Sequence, residues 1–122
     1  MLILCIISDY LNVKEDEVIF TSCGSEANNM AIKGVAFQYQ NRGKHIITTA
    51  IEHSSVYETC KELEEVFGFE VTYLPVDNRG CISLEQLESS IRDDTILVSI
   101  MYVNNEIGVI NPIEKIKKIV KK

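Results

Sequence analysis

Apolar positions along the chain recur in two alternating periods. Leu2–Leu11 is dominated by apolar residues and reads as a surface helix whose apolar face needs something to pack on. The charged turn Lys14–Glu17 leads into Val18–Thr21, read as a short strand. Ser25–Tyr39 carries Met30, Ala31, Val35 and Ala36 near helical spacing, and Asn41-Arg42-Gly43 ends that helix. His45–Thr49 reads as a strand, with His45 exposed at its start. In Ser54–Phe67 the residues Val56, Cys60, Leu63 and Phe67 share one helix face, acids occupy the other, and Gly68 stops the helix. Phe69–Pro75 alternates as a strand does, and Asp77–Gly80 is a turn. Ser83 caps a helix through Ile91, with Gln86 three residues on completing a capping box. Thr95–Val103 is almost wholly apolar and is expected to be a central strand covered on both faces. Pro112–Val120 is a last helix with proline in its first turn. Strands alternating with helices predict βαβ units and a mainly parallel sheet.

Composition narrows the function without naming it. A chain of 122 residues is one domain on length, and 46% hydrophobic residues are enough to build a core. A net charge of −6 argues against nucleic acid as a partner. Cys5, Cys23, Cys60 and Cys81 form no C-x-x-C pair and fit no zinc spacing, so no metal is expected. Met1–Ile7 lacks a basic leader and is too short to span a membrane. Free thiols in a reducing cytoplasm, with no membrane partner, are the expectation.

Three polar clusters sit where apolar runs end. The first is Thr21-Ser22-Cys23-Gly24-Ser25, ahead of a helix. Free amides at a helix start, with Gly24 admitting close approach and Ser25 supplying a hydroxyl, suit a phosphate. The same residues also read as a plain cap by Ser22 or Ser25. The second is Glu52-His53-Ser54, where a neutral imidazole would stack on a ring or move a proton, or is simply a surface histidine. The third is Asn104-Asn105-Glu106, either turn residues or an amide donor with a supporting carboxylate. Clusters at the carboxyl ends of parallel strands are how open sheets build ligand sites.

The runs Ile19–Gly34, Gly43–Thr49 leading to Glu52-His53, Gly68–Leu74, and Arg92–Gly108 with its Val-Asn-Asn-Glu-Ile-Gly segment are collinear with one family. From about Tyr10 to about Val120 the chain resembles the cysteine desulfurases, pyridoxal-phosphate enzymes of the class V aminotransferase group. The resemblance implies a three-layer α/β/α core with a mostly parallel sheet, part of the large domain of fold-type I pyridoxal-phosphate transferases, over residues 1–122. It implies pyridoxal 5'-phosphate as cofactor. Gly24 and Ser25 match the phosphate positions, His53 the ring-stacking and proton-moving histidine, and Asn105 the asparagine at the phenolic oxygen. Glu106 matches a residue that supports its loop. Cys23 stands where the family has glycine, and Ser25 where it has threonine.

The parent reaction converts L-cysteine to L-alanine and passes sulfur to an enzyme thiol as a persulfide, for iron–sulfur cluster or thio-cofactor synthesis. The resemblance further implies a homodimer and a sulfur-acceptor or scaffold partner. No lysine here matches the Schiff-base position, and no cysteine matches the persulfide residue. The aspartate for the ring nitrogen, the small C-terminal domain and an N-terminal segment are also unmatched. The chain by itself is therefore expected to be inactive. The alternatives are a non-catalytic remnant that binds a partner, or another class V member such as a selenocysteine lyase.

Overall fold

The computed structural model describes residues 2–121. Met1 of the apolar opening and the terminal Lys122 lie outside them. The elements are α1 (Leu2–Leu11), α2 (Gly24–Tyr39), β1 (His45–Thr49), α3 (Ser54–Phe67), β2 (Glu70–Leu74), α4 (Leu84–Ser90), β3 (Thr95–Val98) and α5 (Ile113–Val120), with a single 3-10 turn at Glu15–Glu17. The three strands form one parallel sheet in the order β2-β1-β3.

The centre of the sheet explains the layers. Every residue of β1 is buried. Successive strand side chains point to opposite faces. Ile46 therefore joins Ile32, Ala36, Val56, Cys60 and Leu63 beneath α2 and α3. Ile47 joins Leu74, Ile82, Leu87 and Ile116 beneath α4 and α5. Two cores on two faces of one sheet make the expected α/β/α arrangement. Gly68 ends α3 in the left-handed region (φ 67°), as its position after Phe67 predicts.

Several expectations need correction. Val18–Thr21 is no strand: Val18 is extended, but no neighbouring strand pairs with the segment among the described residues, and Ile19 and Phe20 are exposed. An apolar run becomes a strand only where a partner satisfies its backbone. Thr95–Val103 is not a long central strand. β3 stops at Val98, is half-buried, and lies at the sheet's edge with β1 on one side. One further bond, Ser99 N–H to the Ile47 carbonyl (2.8 Å), continues the pairing before the chain turns away. On α2 the buried positions are Ile32 and Ala36, while Met30 and Ala31 face solvent. The Ser83 hydroxyl accepts the Gln86 N–H (3.2 Å) but donates to Glu85 (2.7 Å), so Gln86 caps through its backbone alone. Helix α1 forms as expected, with Ile3, Ile6, Tyr10 and Leu11 exposed.

His45 is the sharpest reversal. It is 1% exposed, not a surface residue. Its Nδ1 meets the Thr95 hydroxyl on β3 (2.7 Å), and its Nε2 meets the Thr72 hydroxyl on β2 (2.8 Å). The imidazole, at the amino end of β1, thus ties it to the start of β3 and the middle of β2. Burial, reinforced by the nearby Arg92 guanidinium, holds its pKa below the ordinary value.

Candidate functional site

The first turn of α2 presents its backbone amides without a side-chain cap. Cys23 occupies the cap position in extended conformation, and no side chain there makes a capping hydrogen bond. Neither Ser22 nor Ser25 acts as the cap. Ser22 is engaged elsewhere, its N–H and hydroxyl both donating to the Glu26 carboxylate (2.6 and 2.7 Å). The amides of this first turn and the helix dipole favour negative charge here. The Cys23 thiol registers this preference. The Glu26 amide, the Ser22 hydroxyl and the Ser25 amide together hold its pKa below the ordinary thiol value. At Gly24 an added Cβ would meet nothing within 4 Å, so the backbone is open to approach. Ser25 is exposed beside it.

His53 follows β1 and caps α3. Its Nδ1 accepts the Ser55 N–H (3.1 Å) and lies 2.8 Å from the Ser55 hydroxyl. A backbone N–H can only donate, so Nδ1 carries the lone pair and the proton of the neutral ring sits on Nε2. The Ser55 hydroxyl accepts in turn from the Asn28 amide of α2 (2.9 Å). Asn28, Ser55 and His53 therefore form one chain of contacts, and the imidazole is oriented from the first turns of both helices.

Beyond β3 the chain folds into a small hairpin, with Val103 bridged to Ile110. Asn104 builds it. Its side-chain oxygen accepts from the Glu106 and Ile107 N–H groups (2.9 and 3.0 Å), and its amide donates to the Ile51 carbonyl (3.1 Å). Asn104 is buried, whereas Asn105 is exposed. The two adjacent asparagines thus do different work. Glu106 serves the hairpin through its N–H. Glu52 spans the gap to the neighbouring loop, its carboxylate accepting from the Thr49 hydroxyl and the Met101 N–H (2.9 Å each).

The segments 51–54 and 104–107 enclose a cleft of about 390 Å³ at the carboxyl ends of β1 and β3. Of the residues singled out from sequence, His53, Asn105 and Glu106 line it. Gly24 and Ser25 do not, but the contact of Asn28 with Ser55 joins their helix to that of His53. No lysine lines the cleft among the described residues. A larger cleft of about 770 Å³, bounded by Ile100, Tyr102 and residues 110–115, is mostly apolar and holds none of these groups. Sequence reasoning named Glu52 without giving it a role, offered a turn role for Asn104 that the structure bears out, and missed Ser55 and Asn28. Only Asn104 carried a local signal, an asparagine opening a turn that closes at Gly108.

Among the described residues, no group of three or more His, Cys, Asp or Glu side chains is placed to hold a metal, and no helix is long and apolar enough to cross a membrane. The fold and the polar cleft at its strand ends define part of an α/β ligand-binding domain. The pattern of the family described as aminotransferase class-V matches residues 6–122, and the chain belongs to that family. Its members depend on pyridoxal phosphate.

The cysteine desulfurase IscS of Dictyoglomus turgidum is 55% identical over 115 residues, covering 94% of this chain and 29% of that protein. The cysteine desulfurase IscS of Methanosarcina thermophila is 56% identical over 114 residues, covering 93% and 28%. Among solved structures, a NifS-like protein superposes with a TM-score of 0.90 at 47% identity, over 97% of this chain and 32% of its own. A structure described as SspA in complex with cysteine gives 0.87 at 45% identity, over 97% and 34%. The chain spans less than a third of the curated relatives it matches. The architecture is that of the large domain of fold-type I pyridoxal-phosphate enzymes.

Proposed function

We propose that residues 1–122 are the cofactor-cradling part of the large domain of a cysteine desulfurase. In this reading Gly24 and Ser25 receive the phosphate of pyridoxal phosphate, His53 lies against its ring, and Asn105 donates to its phenolic oxygen. The observation that carries the proposal is the convergence of an uncapped helix start, an oriented imidazole and an exposed amide at one end of a parallel sheet.

Each part of the cofactor has a chemically suited counterpart. The α2 amides favour a negative group, which the lowered pKa of the Cys23 thiol supports, and the open backbone at Gly24 suits close approach of phosphate oxygens. The Ser25 hydroxyl adds a donor. Because Nδ1 of His53 is taken by Ser55, a proton moves on or off this ring at Nε2. Asn105, exposed at the hairpin tip, is free to donate its amide. When bound, pyridoxal phosphate supplies an electron sink for bond breaking at the amino-acid substrate.

For the whole protein the reaction is removal of sulfur from L-cysteine. L-Alanine and an enzyme persulfide are formed, from which sulfur is delivered to iron–sulfur or thio-cofactor synthesis. We place that protein in the cytoplasm as a homodimer that meets a sulfur-acceptor protein. The names of the relatives support the desulfurase reaction. The absence of lysine from the cleft among the described residues supports non-covalent binding by this chain.

The test titrates the purified chain with pyridoxal phosphate and, in parallel, with pyridoxamine phosphate, which cannot link to lysine. Borohydride reduction and peptide mapping follow. The expected result is saturable binding of both probes, weakened by Ser25→Ala and His53→Ala, with no stoichiometric lysine adduct. Binding indifferent to both substitutions, or one fully labelled lysine, refutes the assignment.

A further inference from the structure

The loops that carry His53 and Asn105 leave different strands, and two hydrogen bonds running in opposite directions join them. Glu52, beside His53, accepts the Met101 N–H on the hairpin side (2.9 Å). Asn104, beside Asn105, donates to the Ile51 carbonyl on the histidine side (3.1 Å). Each loop thus anchors the other at the residue preceding its exposed group. Glu52 is further fixed by the Thr49 hydroxyl at the end of β1. Hydrogen bonds are directional, so such a pair sets spacing and orientation where apolar packing would permit sliding. Both bonds are partly buried, which raises the cost of leaving them unmade.

From this reciprocal staple we infer that Glu52 and Asn104 are positioning residues, which set how His53 and Asn105 face one another across the cleft. The inference rests on the proposed cofactor reading for its functional consequence and on the contacts alone for its geometry. Neither residue needs to touch the cofactor. Each acts through the neighbour that does.

Three variants separate positioning from a general need for folding. Glu52→Ala removes the acceptor. Glu52→Gln keeps an oxygen able to accept both the Thr49 and Met101 bonds. Asn104→Asp keeps the oxygen that accepts from Glu106 and Ile107 but loses the amide that reaches Ile51. The probe is pyridoxamine phosphate, and amide chemical shifts, Met101 N–H exchange and urea unfolding are measured alongside.

Glu52→Ala and Asn104→Asp are expected to weaken binding about tenfold, the effect of losing one of the two cross-loop bonds, while unfolding stays cooperative. Glu52→Gln is expected to bind within about twofold of the parent, since its hydrogen bonds survive. Glu52→Ala shifts amides in 104–107, and Asn104→Asp shifts those in 51–53. Unchanged affinity in both disruptive variants, or a Gln variant as weak as the Ala variant, overturns the inference. If the parent chain binds no probe, the cofactor reading falls by itself. The staple is then judged on the exchange and cross-loop shifts, and their absence overturns it too.

Discussion

Two adjacent asparagines with opposite surroundings allow a discriminating test. Asn104 is buried and its side chain makes four hydrogen bonds, accepting from Glu106 N–H and Ile107 N–H and donating to the Ile51 carbonyl and, more weakly, to the Met101 sulfur. Truncation to alanine deletes all four. A net hydrogen bond is worth about 1 kcal/mol, and a partner left dry costs more. Glu106 and Ile107 lie in exposed positions, so water can replace part of what their amides lose, whereas the Ile51 carbonyl is partly covered. The loss should therefore total about 2–3 kcal/mol, a large share of the roughly 5–15 kcal/mol that holds a domain folded. With a urea m-value of about 1.5 kcal/mol/M, the midpoint should fall by roughly 1–2 M. Asn105→Ala, on an exposed side chain, should stay within about 0.5 kcal/mol of the parent yet bind pyridoxamine phosphate about tenfold more weakly. Urea unfolding followed by circular dichroism reads the first effect, and titration reads the second. Equal destabilisation by the two substitutions, or a loss below about 0.5 kcal/mol for Asn104→Ala, refutes the division of labour.

Other outcomes follow from the same contacts. Gly24→Ala should fold normally, since the added Cβ meets nothing within 4 Å, and should gain up to about 0.5 kcal/mol from helix propensity; calorimetry should nonetheless show weaker pyridoxamine phosphate binding. At neutral pH iodoacetamide should label exposed Cys23 first, its thiol held below the ordinary value, while buried Cys60, pushed up to about 11, reacts only on unfolding. Pyridoxamine phosphate should slow the Cys23 reaction if it uses the same amides, and labelling at a rate indifferent to it counts against the phosphate site. His45 should make the fold acid-sensitive. Its folded pKa is depressed, so the unfolded chain binds the proton more readily. Stability from this group is complete above the unfolded pKa of about 6.5 and declines as pH falls, by at most about 1.4 kcal/mol per pH unit. Urea midpoints between pH 8 and 5, above the range where Glu26, Asp77 and Asp94 titrate with their lowered pKa values, read this effect. A midpoint that is flat or rises towards pH 5 contradicts it.

The periodic segments were legible because their burial is decided within a few residues. The pattern over Ser54–Phe67 names Val56, Cys60, Leu63 and Phe67, and the structure buries the first three but leaves Phe67, at the helix end, exposed. Val18–Thr21 and Thr95–Val103 have equally apolar composition, but pairing is a property of neighbours distant in sequence. One segment found no partner, and the other kept its partner only as far as Ser99. The same distinction runs through the site. Gly24, Ser25, His53 and Asn105 were singled out because their chemistry is written in residue type, and the structure sets His53 and Asn105 on one cleft. The groups that orient them were not, because each acts across a long separation: Asn28 on Ser55, Glu52 on Met101, Asn104 on Ile51. His45 illustrates the cost of that blindness. A histidine after Gly43-Lys44 looks like a surface residue until Thr72 and Thr95 are brought to its two ring nitrogens. Threonine hydroxyls from both flanking strands satisfy the ring without a charge, which is what lets an imidazole sit at the centre of a parallel sheet. The polar groups that hold this fold together and those proposed to meet a cofactor therefore occupy opposite ends of the same strands. His45, at the amino end of β1, gathers the three strands, and Glu52 and Asn104 fasten the loops at the carboxyl ends of β1 and β3 where the cleft lies. Loss of the staple should disturb the cleft and leave the His45 contacts in place.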